Sequence, residues 1–167
     1  MEVNMSNIDV HFSSESNEWG TPRGLFDWLN TKHNFTLDAA ASWENFKCTM
    51  FYSREMDALK QDWLKDSNGG SVFLNPPYGR LIGEFIKKAY EESIKGCNVV
   101  CLIPARTDTK FWHHYCQKGE VTFIKGRLKF VKDEITAPAP FPSAIVRFQM
   151  GIIPRTFYIN QVWNKAI

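Results

Sequence analysis

A mixed α/β fold, with a mainly parallel sheet and an antiparallel C-terminal hairpin to finish it, is the class this sequence predicts on three observations. The apolar run Val72-Phe73-Leu74 stops at Asn75-Pro76-Pro77-Tyr78, as a buried strand must when two prolines remove its next backbone donors. Ile82, Phe85, Ile86, Ala89 and Tyr90 then recur at i, i+3, i+4, i+7 and i+8, one helical stripe, before a second apolar strand over 98–103. After Gly119 the helical period disappears and three β-like stretches follow, at 120–124, 127–131 and 143–150. Elements that alternate first and turn all-β last fit a parallel sheet with an antiparallel end.

Taken in order, residues 1–17 are polar and lack the charged-then-apolar layout of a signal peptide, so they read as a loose arm before one domain over 18–167. Thr21-Pro22 opens the first helix, Thr as N-cap and Pro at the first helical position, with Leu25, Phe26 and Leu29 on the buried side. Residues 35–41 read as a strand entering a turn of small residues. Over 43–70, Met56, Leu59 and Trp63 have helical spacing, but the aromatics before them and Gly69-Gly70 after them leave an irregular connection equally open. The strand over 71–75 leads through Gly79 into a helix at about 80–95, which Gly96 ends. Arg106-Thr-Asp-Thr109 caps a helix carrying Phe111, Trp112, Tyr115 and Cys116. The proline-rich loop 132–142 fits neither a helix nor a central strand.

Composition bounds the partners. A chain of 167 residues with 44% apolar residues and thirteen Phe has the mass for one packed core. A net charge of +2 neither demands nor excludes a polyanion, although Lys125, Arg127, Lys129 and Lys132 cluster. Cys48, Cys97, Cys101 and Cys116 show no CxxC spacing, so reduced buried thiols are expected and no metal. His113 and His114 are adjacent and so point to different helix faces. No stretch approaches the roughly 20 apolar residues of a membrane span. A cytoplasmic protein without a membrane or obligate protein partner is expected.

The chemistry concentrates at Asn75-Pro76-Pro77-Tyr78. An amide oxygen beside strand-end carbonyls, with an aromatic face next to them, is a rigid acceptor corner for the exocyclic amine of a planar base. It needs no nucleophile, metal or general base. The four residues alone are also a tight turn, and Pro-Pro pairs mark many of those. Further stretches narrow the reading: Trp19-Gly-Thr-Pro22, Leu37-Asp-Ala-Ala40, Asn45, Ala58-Leu59, Asp62-Trp63, Ile103-Pro-Ala-Arg-Thr-Asp-Thr109, Gly126-Arg-Leu-Lys-Phe130 and Pro140-Phe-Pro-Ser-Ala-Ile145.

With these motifs in this order, the chain resembles the phage-type DNA N6-adenine methyltransferases, the Dam family of phages and prophages, over most of its length. The resemblance implies a single Rossmann-like methyltransferase domain, S-adenosylmethionine as donor, adenine in double-stranded DNA as acceptor, and a base flipped from the stack. On it, Asn75, Pro76, Pro77 and Tyr78 form the catalytic corner. Trp19, Thr21, Pro22, Asp38, Ala39 and Asp62, with Asn75, line the donor site; for Thr21 and Asp38 a capping role competes, and for Asp62 the place of an exposed helix Asp. Arg106, Lys125, Arg127, Lys129 and Lys132 face DNA, and Phe130 or Phe141 sandwiches the base opposite Tyr78. One departure is Ala39-Ala40-Ala41, where many methyltransferases carry a glycine-rich turn. No clear acidic residue for the donor's ribose emerges, Glu55 and Asp57 being only nominal choices. Competing readings are methylation of RNA guanine or protein glutamine by the same tetrapeptide, a catalytically silent DNA-binding module, and a small nucleotide-binding regulator.

Overall fold

The computed structural model describes residues 20–132 and 135–164. Trp19 and the arm expected over 1–17 lie outside the described residues, as does the side chain of Lys132. Helix α1 (Arg23–His33) buries Leu25, Phe26 and Leu29, as its pattern predicts. Its start corrects the expected cap: Pro22 is the N-cap, and the Thr21 hydroxyl is engaged elsewhere. Strand β1 (Phe35–Asp38) follows, then β2 (Met50–Phe51), two short 3-10 turns at Arg54–Met56 and Ala58–Lys60, and α2 (Trp63–Asp66). The irregular alternative for 43–70 is the one observed. Asp57 and Asn68 take positive φ there, which a continuous helix does not allow.

Strand β3 (Ser71–Leu74) ends at the prolines, and α3 (Ile82–Ile94) crosses to β4 (Val99–Pro104). Helix α4 (Lys110–His114) continues as a 3-10 turn to Lys118 and feeds β5 (Glu120–Ile124). A hairpin, β6 (Lys129–Lys132) and β7 (Ile135–Pro138), precedes β8 (Ser143–Phe148) and β9 (Arg155–Ile159). The proline-rich segment thus supplies β7 of a separate two-stranded ribbon, where a missing donor costs little.

Seven strands form one sheet in the order β2-β1-β3-β4-β8-β5-β9. Every ladder is parallel except those of β8, which runs antiparallel to β4 on one side and to β5 on the other. Apolar side chains alternate between the two faces. Leu37, Val72, Leu74, Val99, Cys101 and Ile103 pack with Ile86 and Trp63. Phe73, Val100 and Leu102 pack with Leu25, Phe26 and Leu29 of α1. Helices on both faces of a mostly parallel sheet are the Rossmann-like architecture that the resemblance implies, and they explain why the central strands are apolar throughout. Strand β9 escaped the pattern because Arg155 to Tyr158 are all exposed, so no inside–outside alternation marks it. All four cysteines are free and buried, and among the described residues no helix is long and apolar enough to cross a membrane.

Candidate active site

From β1 the chain passes to β2 on one side, whereas β3 lies on the other. A crevice opens at the carboxyl ends of such divergent neighbours, where α/β sheets hold ligands. Asp38 ends β1 in register with Phe73, two residues before Asn75. The parallel run places the ends of β4 and β5 on the same edge, so Arg106 and Lys125 leave the sheet there.

Asn75 is held from two directions. Its Nδ2 donates to Thr21 Oγ1 at 3.1 Å, and its Oδ1 accepts from the Tyr78 hydroxyl at 2.9 Å. Thr21 is only 4% exposed, so this contact is sheltered from water. Burial pushes the Tyr78 phenol well above its ordinary range, which keeps it a donor. Pro76 is buried, and Gly79 takes a φ of 146° that lets the chain turn from the corner into α3. Edge-to-face contacts seat the half-buried Tyr78 ring against Phe141 at 5.2 Å and Phe130 at 6.1 Å. Phe130 is buried in the core, whereas Phe141 is only partly buried.

Asp38 is buried, its Oδ2 accepting from Lys47 N at 3.1 Å and its Oδ1 from Ala40 N at 3.4 Å. These bonds hold the loop after β1, the role competing with a donor contact. Burial pushes the carboxyl up to about 7; the two backbone donors and the Lys47 charge oppose that shift without cancelling it. Among the described residues no lysine or arginine forms an ion pair with this carboxyl, which stands at the switch point. Ala39 continues the ladder, its N–H donating to Phe73 O at 2.9 Å. Asp62 is the N-cap of α2, accepting from Lys65 N at 3.1 Å. Pro22 is half-buried at the start of α1.

Arg106, Lys125, Arg127 and Lys129 are exposed. The Gln161 amide donates to the carbonyls of Lys125 and Arg127, which pins the segment leading into the ribbon. The ribbon is tied to the corner by Gly20, which exchanges backbone hydrogen bonds of 2.9 and 3.2 Å with Val131. A Cβ on Gly20 would stand 3.1 Å from the Val131 carbonyl, so this approach favours glycine. The structure therefore joins Thr21, Asn75, Tyr78, Phe130 and Phe141, with Asp38 on the neighbouring strand. Sequence reasoning missed two links, Thr21 to Asn75 and Gly20 to Val131, because no periodic signal spans such separations.

Comparison with known proteins matches the family model described as DNA N-6-adenine-methyltransferase (Dam) to residues 10–160. A DNA N-6-adenine-methyltransferase of Escherichia phage T1 is 38% identical over 112 residues, covering 66% of this chain and 45% of that protein. The match thus spans under half of that relative's length. The Escherichia coli (strain K12) protein YfdM is 35% identical over 80 residues, covering 46% of this chain and 88% of its own length. Among solved structures, protein Atu636 of Agrobacterium tumefaciens, a predicted O-methyltransferase, is 16% identical with a TM-score of 0.35, over 66% of this chain and 52% of the other. With nearly its whole described length matched, the chain belongs to the DNA N-6-adenine-methyltransferase (Dam) family.

Proposed function

We propose that the protein transfers a methyl group from S-adenosylmethionine to N6 of adenine in double-stranded DNA, acting on a base turned out of the helix. The position of Asn75 carries this reading: a sheltered amide at the carboxyl end of β3, directly before two prolines, beside the switch-point crevice. Adenine N6 is a poor nucleophile because its lone pair is delocalised into the ring. Asn75 Oδ1 and the Pro76 carbonyl each accept one of its N–H bonds and favour a pyramidal nitrogen whose lone pair faces the donor. The bound donor supplies a methyl on a sulfonium, so that the N–C bond forms as the C–S bond breaks and the electron pair stays on sulfur. The surplus proton on N6 leaves along one of the two hydrogen bonds to water. Holding both reactants in line is worth on the order of 7–11 kcal/mol.

Tyr78 has two duties in this scheme. Its hydroxyl gives up Asn75 Oδ1 when the base amine arrives, and its ring then stacks on the base with Phe141 at the rim. Asp38, Ala39, Thr21, Pro22 and Asp62 line the donor side, and the ionised Asp38 balances the donor's positive charge. Arg106, Lys125, Arg127, Lys129 and Lys132 meet phosphates, which makes binding weaken as salt rises. The setting is the cytoplasm of a bacterium carrying a phage or prophage.

The test gives the purified protein methyl-labelled donor with DNA, RNA and protein as separate acceptors, followed by digestion of the labelled product. N6-methyladenine from DNA is expected. Label in guanine of RNA or glutamine of protein replaces the reading, and donor binding without transfer to any of the three assigns a silent module.

A further inference from the structure

We infer that Thr21 is a positioning residue that sets the direction and acceptor strength of the Asn75 amide, an assignment that rests on the methyltransferase reading and deepens it. Thr21 lies outside α1, whose N-cap is Pro22, so its hydroxyl is not spent on the helix. It accepts instead from Asn75 Nδ2 at 3.1 Å, across 54 residues of sequence. Its own place is over-determined. Gly20 before it is bridged to Val131 of the ribbon, the Pro22 carbonyl after it accepts the first bond of α1, and the Thr21 side chain is 4% exposed.

The consequence follows from the symmetry of an amide. Oxygen and nitrogen ends are nearly equal in size, and a half-turn of the side chain would present two N–H donors to a base amine that is itself a donor. While the site waits, Tyr78 also holds the oxygen end at 2.9 Å. Once the base displaces that phenol, the Thr21 contact continues to hold the nitrogen end. Donation from Nδ2 also draws electron density toward Oδ1, strengthening it as an acceptor. The same hydrogen bond thus orients Asn75 and polarises it, without Thr21 touching the base.

The test compares Thr21→Val, which keeps shape and loses the hydroxyl, with Thr21→Ser, which restores it. Thr21→Val is expected to stay folded, melting a few degrees lower for the lost buried hydrogen bond, and its kcat is read at saturating S-adenosylmethionine, so that any contact of Thr21 with the donor falls in KM for the donor. Its kcat should fall about tenfold at unchanged KM for DNA, as suits the loss of one buried hydrogen bond, and Thr21→Ser should recover it. Normal kcat in Thr21→Val at saturating donor, whatever its donor affinity, overturns the assignment. A second readout needs no turnover: in 15N NMR spectra the Asn75 side-chain amide protons should shift in Thr21→Val and return in Thr21→Ser. Unmoved Asn75 resonances refute the positioning role by themselves, whereas a wild type that methylates no DNA adenine refutes the functional reading instead.

Discussion

Two buried carboxylates, Asp38 and Glu92, occupy opposite kinds of surroundings. Glu92 is fully buried on α3, and its Oε1 receives Lys88 Nζ at 2.7 Å and Lys95 Nζ at 2.8 Å. Its Oε2 accepts from Leu64 N in the first turn of α2 at 3.2 Å. Burial pushes its pKa up, but the two ammonium groups and the backbone donor outweigh that, and it lies below the ordinary range. Asp38 is buried as deeply and has two backbone donors but, among the described residues, no ammonium in ion-pair contact, so its carboxyl is pushed up to about 7. Partner charge, not depth, separates the two. The compensated carboxylate joins α3 to α2, and the under-compensated one ends β1, in register with the strand that leads to Asn75.

Four substitutions break or sharpen that contrast. Asn75→Ala, beside Asp38, should lower methyl transfer about a hundredfold to a thousandfold, the scale for one preorganised transition-state contact. A labelled-methyl assay checks this, and ordinary turnover would remove Asn75 from the chemistry. Glu92→Gln should leave transfer per folded molecule unchanged and cost about 3 kcal/mol in urea unfolding, because it strands a sheltered Lys88. A drop in kcat without destabilisation would show the two regions are not functionally distinct.

Asp38→Asn tests the under-compensated side. Because the folded-state pKa is raised, the proton on Asp38 adds stability that is complete below its unfolded value of 3.8 and is lost as pH rises through about 7. The variant should therefore flatten the pH dependence of unfolding between about pH 4 and 7. Its amide keeps only one of the two oxygens that hold the Lys47 and Ala40 N–H groups, which offsets the gain in stability at pH 8, while its donor affinity falls about tenfold. Identical pH slopes for the two proteins would place the titration elsewhere. The smallest effect belongs to Tyr78→Phe, which frees Asn75 Oδ1 of the phenol and keeps the ring; kcat/KM should change by no more than about threefold.

The helical stripe on α3 and the apolar strands β3 and β4 were legible because period and burial coincide there. Residues 43–70 were not, since Asp57 and Asn68 break the helical spacing with positive φ values that composition does not announce. Thr-Pro favours a helix cap beside the donor role that the resemblance implies, yet Asn75 outcompetes α1 for the Thr21 hydroxyl. Phe130 and Phe141 looked equivalent on paper. Packing buries the former and leaves the latter partly exposed.

By itself the sequence determined the alternation of strands and helices, the strand stop at Pro76-Pro77, and the family motifs, because each rests on local periodicity or on a residue's own covalent limits. Only the tertiary structure decided which hydroxyl holds the Asn75 amide, which buried carboxylate is left under-compensated, and how Gly20 ties the ribbon to the corner. These contacts join residues far apart in the chain, and their energies depend on distances and on exclusion of water that exist only once the sheet has closed.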